Sequence, residues 1–400
     1  MSKDFKNRLG HLLSLSLGGE YYHSYIPPVL PPNPPLDLEG LYPLLDQANT
    51  ALGCLDGMSQ ILPDASLFIY MYIRKEAVLS SQIEGTQSSL SSLLLFENQE
   101  SPGVPMDDVQ EVSCYVSALY YGLERLHDLP LSLRLIKELH AKLMASGRGA
   151  LKDPGEFRRS QNWIGGSRPG NAVFVPPPPE KLMECLGDLE DFLYNKQIKL
   201  PALVKAALFH VQFESIHPFL DGNGRLGRLL ITFILCVEGL LKEPLLYLSL
   251  YFKTNRQAYY AHLQAVRKEG AWESWIAFFL KGVVETARQA TETAKTVLEL
   301  FKKDRLMIEQ SKSSTASVLA IYHYFQKAPL SNTKKIKEAC QLSLPTVLRS
   351  LNTLEKLGIL KEISGKERHK LYAYSLYLDI LNQGTELGVI KDDFLGLKKS

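Results

Sequence analysis

One stretch near the middle of the chain concentrates side chains able to do chemistry: His217-Pro218-Phe219-Leu220-Asp221-Gly222-Asn223-Gly224-Arg225-Leu226-Gly227-Arg228. It joins two apolar runs through a short turn rich in Gly, Asn and Asp. Gly222 and Gly224 permit positive φ and a close approach of backbone to a ligand. Successive N–H groups in such a turn, opening onto a helix N-terminus, form a nest for an anion. Arg225 and Arg228 follow at i and i+3 in the first turn of that helix, so they point in similar directions. Cations there oppose the helix macrodipole, and a negatively charged ligand would supply the compensation. Nest and arginines together fit a polyphosphate. Asp221 offers the oxygen by which a Mg²⁺ ion bridges phosphates, and His217, titrating near neutrality, can take a proton from an attacking hydroxyl. The plainer reading makes His217 a helix cap and Gly222-Asn223-Gly224 a tight turn. Base, acid, nest and two arginines in one short segment outweigh it.

A second candidate is Ser80-Ser81-Gln82-Ile83-Glu84-Gly85. It closes a helix expected over Ser66 to Glu84, which Gly85 terminates. Ser80 and Glu84 are i, i+4 neighbours, and a glutamate in a last turn opposes the macrodipole and calls for a cation from elsewhere. Alone, it would read as a solvated surface glutamate. The elements that must position these residues are mainly helical: 106–126, 131–145, 180–195, 202–214, 224–241, 255–268 and 271–297. Between Lys152 and Glu180, turn signals surround Gln161-Asn162-Trp163-Ile164 and Ala172-Val173-Phe174-Val175, which predicts a lone β-hairpin. The proline-rich residues 22–36 cannot form a helix interior. They are expected to run extended, as polyproline II, strapped over the domain rather than recruiting an SH3-like partner.

The central segment resembles, at every defining position, the signature of the Fic family, His-x-Phe-x-Asp/Glu-Gly-Asn-Gly-Arg-x-x-Arg. The resemblance extends over roughly residues 10–300, including the proline strap, the Gly170-Asn171-Ala172-Val173-Phe174-Val175-Pro176 hairpin and Asn255-Arg256. It implies a helical fold with a β-hairpin flap (residues 161–175) that aligns a target protein by strand addition. It further implies a protein adenylyltransferase that moves AMP from ATP, with Mg²⁺, onto a Ser, Thr or Tyr hydroxyl. In that scheme His217 is the base and Asp221 the metal ligand. Gly222, Asn223 and Gly224 cradle the α- and β-phosphates, while Arg225 and Arg228 contact the outer ones, and Leu226 and Gly227 complete the nucleotide-binding segment. Asn255 meets the adenine, with Tyr251 near it. The Ser/Thr-x-x-x-Glu-Gly pattern resembles the inhibitory helix of Fic proteins, which implies that Glu84, with Ser80, occupies Arg228 and brakes the enzyme. Self-modification is open. So are transfer or removal of another nucleotide moiety, and a regulator whose nucleotide site only senses.

Residues 313–375 read as a separate unit. Helices at 316–326, 333–340 and 344–357, then β-prone runs at 359–363 and 370–374, resemble a winged helix. Thr346, Arg349, Ser350 and Asn352 lie on its recognition helix, and Gly365, Lys366, Arg368, His369 and Lys370 at the wing. The expected division is 1–110 for the strap and inhibitory helix, 111–300 for the catalytic core and 313–400 for the winged helix and tail. Net charge is only +2, but residues 301–400 hold 17 Lys+Arg against 10 Asp+Glu, leaving 28 against 33 elsewhere. DNA, a protein or a second copy of the chain (a homodimer) are candidate partners there, with a protein contact favoured. The five dispersed cysteines contain no C-x-x-C pair, which argues against a disulfide framework or zinc site and places each in a core. The N-terminus lacks a signal-peptide apolar region, and Leu229 to Cys236 is too short to span a bilayer. A cytoplasmic setting fits.

Overall fold

The computed structural model describes residues 8–61, 65–98, 103–366 and 370–385. The chain is mainly helical, and its helices follow the apolar spacing of the sequence. The first are α1 (Tyr42–Ile61), α2 (Ala65–Ile83), α3 (Leu90–Glu97), α4 (Met106–Arg125) and α5 (Leu133–Leu143). Then come α6 (Pro179–Tyr194), α7 (Ala202–Ile216), α8 (Asn223–Val237), α9 (Ser249–Thr254), α10 (Arg256–Glu269) and α11 (Trp272–Gln310). Helices α7 and α8 pack as the central pair, and every residue of α7 from Val204 to Ile216 except Lys205 is buried. A helix apolar all round belongs inside. Among the described residues no helix is long and apolar enough to cross a membrane.

Two features depart from expectation. The hairpin does not stand alone, because β1 (His11–Leu17) and β2 (Glu20–Ile26) pair antiparallel in full register around Gly18-Gly19. The expected extended strap therefore begins as a strand, and only its later part runs irregularly over α7, where Gln212 Nε2 donates to Pro28 O (2.6 Å). The flap, in turn, reduces to a single antiparallel bridge, Ile164 to Phe174, with a short 3-10 turn at Pro169–Asn171. Strand β2 props the flap from behind. Tyr25 N–H donates to Val175 O (2.9 Å), Ser24 Oγ to Pro176 O (2.7 Å), and Glu20 pairs with Arg168 at 2.7 Å.

The C-terminal unit consists of α12 (Ala316–Lys327), β3 (Leu330–Asn332), α13 (Thr333–Cys340), α14 (Leu344–Lys356), β4 (Lys361–Glu362), β5 (Leu371–Ala373) and α15 (Ser375–Asn382). Its three strands order as β3-β5-β4, all antiparallel. Three helices and a ribbon are consistent with a winged helix, whereas β3 and α15 carry too few residues to announce themselves. Thr346, Arg349 and Asn352 do not point inward, but Ser350 is buried and its hydroxyl donates to Ser317 Oγ (3.1 Å), so it faces α12 rather than a groove. Arg368 and His369 lie outside the described residues. All five cysteines are free, and the expectation that each sits in a core fails for Cys54, which is exposed on α1.

Candidate active site

Helix α7 ends at His217, whose φ of 51° is left-handed while its N–H still donates to Phe213 O (2.9 Å). That turn carries the chain off the helix axis into the loop 218–222. Arg158 holds the turn: its Nε donates to His217 O (2.9 Å), its backbone N–H to Pro218 O (2.9 Å), and its guanidinium also reaches Ser160 O and Pro177 O. On the other side Asn223 closes the loop. Its Oδ1 accepts from Phe219 N–H (2.9 Å) and its Nδ2 donates to Phe219 O (2.8 Å). Both polar atoms of the Asn223 side chain are thus engaged within the loop. His140 stacks on Phe219 with centroids 3.7 Å apart. Its Nδ1 accepts from Gly155 N–H (2.8 Å), so the proton sits on Nε2 and is donated to Asp221 O (3.0 Å). Burial pushes its pKa down to about 4, which keeps that neutral tautomer.

His217 itself has Nδ1 buried without a partner. Burial first, then the Arg267 and Arg158 guanidinium groups, push its pKa down to about 3, so it is neutral at pH 7, the form a base requires. Gly222 caps α8 with φ 76°, and the nest opens onto the helix from Asn223. A Cβ on Gly224 would lie 2.3 Å from Glu84 Oε1 and 3.0 Å from Arg228 Nη1. The Glu84 carboxylate therefore rests directly on the bare face of the α8 N-terminus. Arg228 is buried beneath it, with Nη2 donating to Glu84 Oε1 (2.7 Å) and Ser80 O (2.8 Å), and Nε to Ser80 Oγ (2.9 Å). Burial would raise the Glu84 pKa, but Arg228, then Arg225 and Arg256, hold it below its ordinary value. Burial works against the Arg228 charge in the same way, and Glu84 more than restores it.

Arg225 is also buried: Nη1 meets Glu111 Oε2 (3.2 Å), Nη2 sits 3.5 Å from Met144 Sδ and 3.6 Å from Asp221 Oδ1, and Nε is buried with no partner. Asp221 is half exposed, and one oxygen accepts from Gly222 N–H (2.5 Å). Among the described residues there is no cluster of three metal-binding side chains. A single carboxylate beside an anion nest suits Mg²⁺, which takes one or two carboxylates together with phosphates and keeps several waters.

Not every expected residue opens onto the site. Leu226 is fully buried in the core, and Gly227 backs onto Glu214, Phe213 and His210, so neither offers a side chain to a nucleotide. Tyr251 packs on Phe278 with centroids 4.9 Å apart, and Asn255 Nδ2 donates to Tyr251 O (3.0 Å) across the start of α10. Sequence reasoning missed Arg158, His140, Glu111, Arg267 and Glu214. Arg267 bridges the site to the flap, donating to Ser215 Oγ (3.1 Å) and Glu214 O (3.1 Å) while lying 3.8 Å above the Phe174 ring. Glu214 is buried with Oε1 unpartnered, and burial pushes its pKa up to about 7. The only signal for it was a charge inside the apolar run Phe209-His210-Val211-Gln212-Phe213-Glu214-Ser215-Ile216.

Residues 42–124 match the Fic/DOC family N-terminal domain and residues 130–235 the Fic/DOC family domain. The chain is 32% identical over 240 residues to a protein adenylyltransferase Fic of Aedes aegypti, covering 58% of this chain and 44% of that protein. It is 28% identical over 238 residues to the protein of the same name from Drosophila grimshawi, covering 58% and 45%. The chain thus spans less than half the length of these curated relatives. A Fic family protein from Desulfovibrio desulfuricans G20 shares the fold with a TM-score of 0.56 at 20% identity, over 85% of this chain and 97% of that one. Fic-1 (residues 134–508) of C. elegans shares it with a TM-score of 0.50 at 22% identity, over 65% and 74%. Residues 42–124 and 130–235 thus carry the two Fic/DOC family domains, on a helical fold shared with solved Fic proteins.

Proposed function

We propose that the chain is a protein adenylyltransferase, a nucleotidyltransferase that moves AMP from ATP to a Ser, Thr or Tyr hydroxyl of a target protein, itself included, and releases pyrophosphate. The observation that carries this reading is an anion already seated at the α8 N-terminus: the Glu84 carboxylate, on Gly224 and Arg228. A site that holds a carboxylate against a nest and an arginine will hold phosphate oxygens there once that carboxylate leaves. The relatives named protein adenylyltransferase support the same donor.

In this mechanism the target hydroxyl attacks the α-phosphorus. Its proton passes to His217, and the bond from the α-phosphorus to the bridging oxygen breaks, the electron pair leaving with pyrophosphate. The arrival of a triphosphate would raise the His217 pKa, since a nearby negative charge favours the imidazolium. The backbone N–H groups of Gly222, Asn223 and Gly224 cradle the inner phosphates, and Arg225 takes the outer ones. Arg228 joins it when Glu84 withdraws. Asp221 would hold Mg²⁺, which neutralises phosphate charge. Asn255, with Tyr251 beside it, borders the adenine end, and the flap at 161–175 presents the target. The chain asks for positioning and charge stabilisation more than for covalent help.

The work divides among residues 1–110, which carry the brake, 111–300, which carry the chemistry, and 313–400, a winged-helix module. Leu344 and Leu348 are exposed at 46% and 44% on the outward side of α14, and Ser350 is turned inward, which favours a protein contact over base reading for that module. Five free thiols suit a reducing cytoplasm. The donor chemistry is tested with ATP labelled at either the α- or the γ-phosphate, using the Glu84→Gly variant. Retention of the α label alone on protein is expected. Retention of the γ label would make the enzyme a kinase and overturn the reading.

A further inference from the structure

Arg225 is buried, and a buried guanidinium needs a fixed counter-charge. Asp221 lies 3.6 Å away within the 217–228 segment, but the closer and more buried carboxylate comes from outside it. Glu111, on the second turn of α4, has a side chain only 4% exposed and accepts from two arginines at once. Its Oε2 takes Arg225 Nη1 (3.2 Å) and Arg148 Nη2 (3.4 Å), and its Oε1 takes Arg148 Nε (2.9 Å) and Arg148 N–H (3.3 Å). One turn earlier, Asp108 adds a second contact to Arg148 at 3.2 Å and accepts from Gln87 N–H (2.6 Å).

The loop that delivers Arg148 is shaped to reach Glu111. Gly147 adopts φ +85°, and a Cβ there would fall 2.6 Å from Glu111 Cγ, so only glycine lets the backbone pass this close. Gly149 lies beside Met144 and Asp221, the residues that also flank Arg225. Glu111 therefore fixes one edge of the Arg225 guanidinium, while the buried Nε of that same group has no partner. A buried donor without a partner is costly unless a ligand completes it.

We propose that Glu111 is the positioning residue for Arg225, setting its guanidinium to receive the outer phosphates of the nucleotide. Arg148 completes the clamp by holding Glu111 from the solvent side. This rests on reading residues 217–228 as the nucleotide site. Glu111 never touches the reacting atoms; it acts through Arg225. The consequence is selective, because only a nucleotide long enough to reach Arg225 senses Glu111.

The test uses the full chain in the Glu84→Gly background, measuring ATP and AMP affinity by calorimetry alongside KM and kcat. Glu111→Gln keeps the volume and removes the charge. It is expected to weaken ATP roughly ten-fold or more, the effect of mis-setting one charge-assisted hydrogen bond, while AMP changes far less. Glu111→Asp is expected to recover part of that loss. Adding Glu111→Gln to Arg225→Ala should change ATP affinity little further, because the two act as one unit. Equal losses for ATP and AMP, or unchanged ATP affinity in a folded Glu111→Gln protein, would overturn the proposal. If the Glu84→Gly parent itself binds no ATP, the nucleotide reading of the site fails instead.

Discussion

Arg228 is the residue on which the site's electrostatics converge. Its guanidinium meets Glu84 and both the hydroxyl and carbonyl of Ser80, and it lies in the field of Glu214. Glu214 faces this cluster from α7 with one oxygen unpartnered, and its pKa is raised by burial from 4.5 to about 7. A raised acid contributes stability below its unfolded pKa, and that contribution is lost as pH rises through the folded value. Wild type should therefore lose stability relative to Glu214→Gln between pH 5 and pH 8, by up to about 3 kcal/mol. Denaturant melts of both proteins at the two pH values check this, and a constant difference would contradict it. Arg228 and Glu84 were legible because each is a charge at the wrong helix end within a short pattern, and His217 because it opens the segment that Arg228 closes. The residues that hold them were not. Arg158 lies 59 positions from His217, His140 81 from Asp221, and Glu111 114 from Arg225. No local pattern links partners so far apart; only the fold brings them together.

Among the elements, the start of α8 would bear most of the proposed function, since the nest, both arginines and the resting place of Glu84 lie on its first two turns. Gly224 is the tightest point. Alanine there would drive a methyl into the space the Glu84 carboxylate occupies, 2.3 Å from Oε1. The same methyl would meet a phosphate cradled on that face. Gly224→Ala should thus loosen the Glu84–Arg228 pair without releasing activity. In the Glu84→Gly background it is expected to cut the labelling rate roughly a hundred-fold, as a displacement of about 1 Å at a reacting centre can. A rate within two-fold of the Glu84→Gly parent would show that ligand does not approach Gly224. Long amphipathic helices such as α4 and α5 were readable from apolar spacing, to within two residues at each end. The N-terminal hairpin was missed although Leu12, Leu13 and Leu15 flank a Gly18-Gly19 turn, because the prolines after Ile26 drew residues 22–36, most of β2 among them, into an extended reading and the run before them was given none. The flap was readable as a turn with β-prone flanks. It pairs within itself at one bridge, and β2 holds it from the side at Val175.

Among the described residues most of the buried apolar side chains join one continuous cluster, running from Ile26 through α7 and α8 to Leu381. The expected break near residue 313 is a turn after α11, which runs unbroken through 39 residues and packs its end against the C-terminal unit. Tyr322 donates to Phe301 O (2.8 Å), Tyr374 to Asp304, and Asn98 Nδ2 to Leu330 O (3.0 Å). Gln82, two residues before Glu84, donates to Ser88 O and Thr385 O at 2.9 Å each, so the loop that carries Glu84 is tied into the same body. A composition shift marked where the C-terminal unit starts, but contacts of such long sequence separation leave no trace in composition. The proposed function requires Glu84 to hold back a chemistry that His217 would perform. Intact-mass spectrometry after incubation with ATP and Mg²⁺ addresses both, using wild type, Glu84→Gly and Glu84→Gly/His217→Ala. The prediction is a gain of one AMP per chain in the single variant, far less in wild type and none in the double variant. Equal labelling of wild type and Glu84→Gly, or labelling that survives the loss of His217, would contradict it.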